Sequence, residues 1–298
     1  MKHDMLFGIK CLCIVRLSVE HEYLISALEV FHADHDAPWQ ERNTLVESVC
    51  KTQLSGKTYS KEHLRNIIHI PELNLNWCMI PKVASTSLCK TFLPLITRNQ
   101  PRKDKKWGYL QAEIADRSGA FKLFKRGELS LESYNAVNHT FLIARHPFGR
   151  LASAFRNKIE NRTKHADGEH FYRHRSSQII KFTRGSWNPT NPEPTFEEFL
   201  EFIINNDPNK FDIHWKPISK LCSMCKIPFT HILKYENLIK EWPMFLSSTG
   251  LPLIDLPGGS TGSLRSYYSN ISEDVIRKLY NIYVKDFKIF GYELNDKF

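Results

Sequence analysis

The run Leu73-Asn74-Leu75-Asn76-Trp77-Cys78-Met79-Ile80-Pro81-Lys82-Val83-Ala84-Ser85-Thr86-Ser87-Leu88 changes character twice. Leu73, Leu75, Trp77 and Met79 alternate with Asn74, Asn76 and Cys78, the period of a strand. Pro81-Lys82 ends the alternation, and the small residues Val83 to Ser87 make a tight turn. Leu88, Phe92, Leu93 and Leu95 then recur at helical spacing. A strand feeding a helix through such a turn aims several backbone N–H groups at one spot, and the helix N-terminus adds positive potential, so an anion binds there. Val83 and Ala84 supply turn amides, Ser85, Thr86 and Ser87 supply hydroxyl donors, and Lys82 reaches in as a mobile point charge. The Gly-x-x-x-x-Gly-Lys-Ser/Thr pattern is absent, so a Walker NTPase is not supported. The plain alternative is a serine-capped helix beside a surface lysine.

A second stretch has the same logic. Thr140 to Ala144 is a short apolar run of the buried-strand type, followed by Arg145-His146-Pro147 and by Leu151, Ala154, Phe155 and Ile159 at helical spacing. Arg145 thus stands at a strand end, where open α/β sheets place their ligands. Ser153 follows eight residues on, with Arg150 between. A guanidinium fork with a serine hydroxyl suits a second phosphate. The alternatives are a structural ion pair for Arg145 and a solvated helix position for Arg150.

Around these signals, residues 1–70 read as a helical, polar region without a clear domain signature, and residues 71–298 as one domain. Residues 97–139 read as polar loops with short helices, and residues 160–194 as a long, His-rich surface excursion. Thr195 and Glu198 form a capping box ahead of Phe196, Phe199, Leu200 and Ile203. Ile232-Leu233 begins another short strand, Leu256 to Ser263 is a Gly/Pro/Ser-rich loop, and Ser272 caps a last helix through Ile276, Leu279, Tyr280 and Tyr283. Strands alternating with helices predict an α/β fold with a central, mostly parallel sheet flanked by helices.

The chain's 298 residues are 42% hydrophobic, with six Trp, 11 Tyr and 19 Phe, enough for a sizeable core. Charged residues make up 24% without a long single-sign block, which excludes global disorder. The net charge of +9 suits an anionic partner: nucleotide, nucleic acid, acidic glycan or lipid headgroup. Residues 141–184 hold ten Lys or Arg against three Asp or Glu, with His146, His165, His170 and His174 among them. No nucleic-acid-binding motif accompanies this charge, and no carboxylate cluster of the kind magnesium wants is visible.

Seven cysteines (Cys11, Cys13, Cys50, Cys78, Cys89, Cys222 and Cys225) are too few for a disulfide scaffold. Cys222-x-x-Cys225 lacks the second ligand pair of a zinc site and a thioredoxin-like setting. The apolar stretch Met5 to Val19 is short and interrupted by Lys10 and Arg16, so no bilayer span is legible in it. Sequons at Asn138, Asn161 and Asn270 mildly favour a secretory route.

The two phosphate signals together resemble the sulfotransferases that use 3′-phosphoadenosine 5′-phosphosulfate (PAPS). Arg145-His-Pro-Phe-x-Arg150-Leu-x-Ser153-Ala-x-Arg156-Asn157-Lys158 is similar to the Golgi carbohydrate sulfotransferases that include the chondroitin and dermatan 4-O-sulfotransferases. Further matches follow in the family's order: His214-Trp215-Lys216-Pro217 with Leu221-Cys222-x-x-Cys225, Lys234-Tyr235-Glu236-Asn237-Leu238, and Tyr283-x-x-Asp286-Phe287-x-x-Phe290-Gly291-Tyr292. The resemblance covers residues 73–294. The Pro81–Ser87 turn also resembles the uronyl 2-O-sulfotransferases, so the acceptor is less defined than the chemistry, with an N-glycan as a further alternative. The family usually carries an N-terminal membrane anchor, and this sequence shows none.

The resemblance implies PAPS as donor, no metal, an acidic glycan or glycosaminoglycan as acceptor, and the Golgi lumen as compartment. It implies that Lys82 and the Val83–Ser87 turn hold the 5′-phosphosulfate and that Arg145 and Ser153 hold the 3′-phosphate. A general base must take the acceptor's proton. His214 is the first candidate, oriented by Asp212 along an extended segment; a buried structural histidine is the competing reading, and Glu160 and His139 are the reserves. The resemblance also suggests that the Cys222–Cys225 region is an oxidised staple. Because a three-residue spacing makes a strained loop, either cysteine can instead pair elsewhere.

Overall fold

The computed structural model describes residues 37–54, 59–97, 129–160, 168–186, 193–256 and 264–296. In chain order these form helix α1 (Pro38–Leu54), strand β1 (Ile67–Ile70), strand β2 (Leu75–Cys78), helix α2 (Ser85–Thr97), the short helix α3 (Leu131–Asn135), strand β3 (His139–Ala144) and helix α4 (Pro147–Phe155). A π turn, Arg156–Glu160, extends α4. Then come α5 (Gly168–Arg184), α6 (Phe196–Ile204), the one-turn α7 (Ile218–Leu221), β4 (His231–Lys234), α8 (Leu238–Thr249) and α9 (Glu273–Phe290). The sheet order is β1-β2-β3-β4; β1 runs antiparallel to β2, and β2, β3 and β4 are mutually parallel. Trp77 pairs with Phe141, so β2 and β3 end at the same edge of the sheet. That edge receives the Pro81-Lys82 turn from one strand and Arg145 from the next.

The strands are buried on both faces, as parallel strands between helices are. All four residues of β2 are buried, so the alternation of Leu and Trp with Asn and Cys separates two covered faces, not core from solvent. Buried Asn76 is satisfied: its Nδ2 donates to the Tyr134 carbonyl at 2.9 Å, and its Oδ1 lies 2.9 Å from His69 Nδ1. Leu73 falls outside the strand because Pro71–Leu73 form a 3-10 turn that Asn74 closes at φ 52°. Trp77, Phe92, Phe141 and Phe245 pack as a chain of aromatic rings through the core.

The structure corrects two readings of composition. Ile67–Ile70 is a strand within the stretch that reads as helical and polar. The supposed excursion over 160–194 contains the 17-residue helix α5, which seats Ser176, Ile179 and Ile180 against the molecule. Residues 98–128, 161–167 and 257–263, and with them Asn161 and most of the Leu256–Ser263 loop, lie outside the described residues. The capping box is present: Thr195 Oγ1 accepts from Glu198 N, and Glu198 Oε2 accepts from Thr195 N at 2.8 Å. Ser272 caps α9, and Gly291 ends it at φ 59°, where a Cβ would meet Leu45 of α1 at 3.0 Å.

Helix α1 packs on β4 and α9. Its Arg42 makes a buried two-pronged pair with Glu241 of α8 (2.6 and 2.7 Å) and donates to the Ile232 carbonyl. A disulfide joins Cys50 of α1 to Cys225, and a second joins Cys78 of β2 to Cys222. The Cys-x-x-Cys therefore does not close on itself; each sulfur fastens a different distant segment to one turn. Cys89 is a buried thiol, its pKa pushed up to about 12 by burial. Bridges that span 144 and 175 residues remove much unfolded-state entropy. Replacing Cys78 and Cys222 together by serine should cost about 2–5 kcal/mol in a denaturant titration. Non-reducing peptide maps should recover the Cys50–Cys225 and Cys78–Cys222 pairs; a Cys222–Cys225 peptide would contradict this arrangement.

Candidate active site

The turn after β2 is built with backbone of alternating hand. Lys82 (φ 72°) and Ala84 (φ 66°) are left-handed, while Pro81 and Val83 are not. A residue with a Cβ there costs about 1–2 kcal/mol. Such alternation turns successive N–H groups to one side and forms an anion-binding concavity that the N-terminus of α2 extends.

Lys82 Nζ donates to Asn157 Oδ1 at 2.8 Å. Its pKa is lowered to about 7, chiefly by burial, and then by the neighbouring cations Lys158, Arg145, Arg156 and Arg150. Arg145 bends back on the same turn: its Nη1 donates to the Lys82 carbonyl at 2.8 Å, and its guanidinium stacks 4.1 Å from the centre of the Tyr235 ring. Arg145 is only 7% exposed, and its buried Nε has no hydrogen-bond partner among the described residues. Burial also pulls its pKa down. Ser153 lies buried in α4, the helix that Arg145 leads into. Five cations converging on an amide-lined turn, with a buried guanidinium N–H left over, fit a ligand with more than one negative phosphate.

Arg150 is neither solvated nor, among the described residues, paired with a carboxylate. It is 2% exposed, and its fork donates to three backbone carbonyls: Pro81 (3.1 Å), Lys216 (2.7 Å) and Ile213 (2.7 Å). It therefore ties the residue before Lys82 to the residue before His214. The last helix holds the same segment from the other side. Asp286 accepts from the Ile218 and Ser219 amides at 2.6 and 2.8 Å, and Tyr283 donates to the Trp215 carbonyl at 2.7 Å.

His214 arrives through a turn, not the extended segment expected. The Trp215 and Lys216 amides both donate to the Asp212 carbonyl. Asp212 Oδ1 accepts from the His214 amide at 3.0 Å and lies 2.6 Å from its Nδ1. Burial lowers the His214 pKa; Asp212 opposes this, and Lys158 and Lys82 add to it. His214 thus lies within the electrostatic reach of Lys82. Asp212 stays below the usual carboxylate range, because its hydrogen bonds from His214 and the charge of Arg175 outweigh burial.

The reserve bases are placed otherwise. His139 opens β3 with its ring against His231, at the opposite end of the strand from Arg145 and so about 20 Å away. Exposed Glu160 accepts from Tyr267 Oη. Among the described residues no group of three or more His, Cys, Asp or Glu side chains is placed to hold a metal ion.

Local reading missed several participants: Asn157 on Lys82, Tyr235 under Arg145, and Glu236, which accepts from the His146 amide and from Tyr292 Oη. All three lie inside stretches that carry the family resemblance, and that was their only signal.

The family described as "Sulfotransferase family" matches residues 65–293. Carbohydrate sulfotransferase 10 of Rattus norvegicus is 27% identical over 287 residues, covering 89% of this chain and 78% of its own. Carbohydrate sulfotransferase 14 of Danio rerio is 25% identical over 281 residues (85% and 71%), and carbohydrate sulfotransferase 11 of Mus musculus 24% over 275 (86% and 76%). No solved structure matches the chain. A match across most of the chain, including the β2–α2 turn, the end of β3 and helix α4, shows that the chain belongs to the sulfotransferase family, among the PAPS-dependent enzymes that include the carbohydrate sulfotransferases.

Proposed function

We infer that the protein transfers a sulfuryl group from PAPS to a hydroxyl of an acidic glycan, with the 4-hydroxyl of N-acetylgalactosamine in chondroitin- or dermatan-type chains as the acceptor. The observation that carries the reading is that buried Arg150 ties the residue before Lys82 to the residue before His214, while Arg145 donates to the Lys82 carbonyl. Bound PAPS supplies a sulfuryl group on a phosphosulfate whose S–O bond breaks as the acceptor oxygen bonds to sulfur. Catalysis of such in-line transfers is mostly positioning and electrostatics.

In this reading the alternating-hand turn and Ser85, Thr86 and Ser87 hold the 5′ end of the donor. Lys82 carries the positive charge beside the oxygen that leaves. Arg145 and Ser153 hold the 3′-phosphate. Asp212 keeps the His214 proton on Nδ1, which puts the basic lone pair on Nε2 for the acceptor hydroxyl. Arg156 and Lys158, among the cations beside Lys82, favour an acidic chain. Two long-range disulfides suit the oxidising lumen of the Golgi. Among the described residues no helix is long and apolar enough to cross a membrane.

Arg145→Ala should weaken binding of 3′-phosphoadenosine 5′-phosphate (PAP) by about 1.5–3 kcal/mol, and Ser153→Ala by about 1 kcal/mol. A ligand without the 3′-phosphate separates the roles, because both variants should bind it as wild type does. Equal losses for the two ligands would remove the 3′-phosphate assignment. The acceptor is tested by incubating the protein and PAPS with desulfated chondroitin, dermatan, heparan and N-linked glycans, followed by disaccharide mapping. Sulfate on the N-acetylgalactosamine 4-hydroxyl is expected; sulfate on a uronyl 2-hydroxyl or only on N-glycans would replace that acceptor.

A further inference from the structure

Helix α5 sends one side chain into the base. Arg175 Nη2 donates to Asp212 Oδ2 at 3.1 Å, while Oδ1 of the same carboxylate serves the amide and ring of His214. The guanidinium also contacts the Trp215 ring, 5.9 Å from its centroid, and its Nη1 donates to Gln178 on the same helix. Asp212 is thereby gripped at both oxygens, by the base on one side and by an element 37 residues away in sequence on the other.

We propose that Arg175 is a positioning residue for the reaction: it locks the Asp212 carboxylate in the orientation that holds His214 with its proton on Nδ1. The proposal rests on the reading of His214 as base. Without the grip on Oδ2 the carboxylate can rotate, and the imidazole loses both its tautomer and its direction. Arg175 also offsets the charge of Asp212, so its removal leaves His214 under a stronger pull from the carboxylate. The other charged groups facing this pair are Lys82 from the donor turn, Lys158 from the π turn and Arg150 from α4. All three are cations and are unchanged by the substitution, so the sign is fixed: losing Arg175 raises the histidine's pKa. Arg175 is partly exposed, with 28% of its side-chain surface accessible, so its removal need not unfold the molecule.

The test compares Arg175→Met and Arg175→Lys in wild-type and Asp212→Asn backgrounds. Arg175→Met should lower kcat about 10-fold, a fraction of what a general base supplies. PAP affinity and melting temperature should hold, and the acid limb of the pH profile should rise, as loss of a nearby cation dictates. Arg175→Lys, which keeps charge and one donor, should restore most of the turnover. In the Asp212→Asn background Arg175→Met should add nothing, because the residue acts only through that carboxylate. Nitrogen NMR of labelled histidine should report an Nδ1-protonated His214 in wild type and a mixed tautomer in Arg175→Met. If the methionine variant fails to fold, the lysine variant and the wild-type tautomer still decide the matter. A raised acceptor KM with unchanged kcat, or a full additive loss in the Asp212→Asn background, would overturn the proposal and make Arg175 an acceptor contact. His214→Ala separates the two failures. Near-normal turnover there removes the base reading itself, whereas a His214→Ala loss beside a wild-type-like Arg175→Met removes only the role of Arg175.

Discussion

Lys82→Ala should cut turnover by about 30- to 1000-fold, the effect of losing one charge-assisted contact worth about 2–4 kcal/mol in the transition state. PAP should still bind, because the turn amides, Arg145 and Ser153 remain. The burial and four neighbouring cations that hold the Lys82 pKa near 7 make the residue's contribution depend on pH. Below about 7 the free enzyme carries the charge; above it the ammonium loses its proton and the donor site weakens. A phosphate beside the lysine acts in the opposite direction and restores the proton. The alkaline limb of kcat/KM for PAPS should therefore fall near pH 7, and that of kcat should lie higher. Calorimetry in buffers of different ionisation enthalpy should record proton uptake on PAP binding above pH 7. Wild-type-like turnover in Lys82→Ala would end the assignment.

His214→Ala should lower turnover by about 100-fold or more, the usual range for a lost general base, with the melting temperature and PAP affinity retained. Burial, Lys158 and Lys82 hold the imidazole below its ordinary pKa of 6.5 against the pull of Asp212, so it is neutral and basic at pH 7. The acid limb should accordingly lie below the ordinary imidazole range and vanish in His214→Ala. A purely structural histidine would instead lose stability and both activities together, and a folded variant with near-normal turnover would exclude it as the base.

What was legible in the sequence was local. The alternation before Pro81, the small residues after it and the apolar run before Arg145 are neighbours in the chain, and they predict two parallel strands that each end in a turn leading into a helix. The Thr195 and Ser272 caps are legible for the same reason. Long-range partners were not. Nothing local shows that Arg150 turns inward to three carbonyls from two other segments, or that Arg42 finds Glu241 across 199 residues. The cysteine pairing hid in the same way, since Cys222 and Cys225 each choose a partner more than 140 residues away. Strand β1 escaped because Ile67-Ile68-His69-Ile70 is four residues long and embedded in polar sequence. Helix α5 escaped because its His- and Arg-rich composition masks the few positions, Ile179 and Ile180 among them, that anchor it. Arg175 lies inside that helix, and its ion pair with Asp212 joins segments 37 residues apart in the chain.

The most direct measurement follows label from radiolabelled PAPS into desulfated chondroitin or dermatan, with purified wild-type, Lys82→Ala and His214→Ala proteins side by side. Wild type should incorporate one sulfate for each PAP released, and both variants should bind PAP while incorporating little. Tight PAP binding by wild type with no label in these chains, nor in heparan or N-linked glycans, would contradict the account and leave a protein that holds the nucleotide without transferring its sulfate.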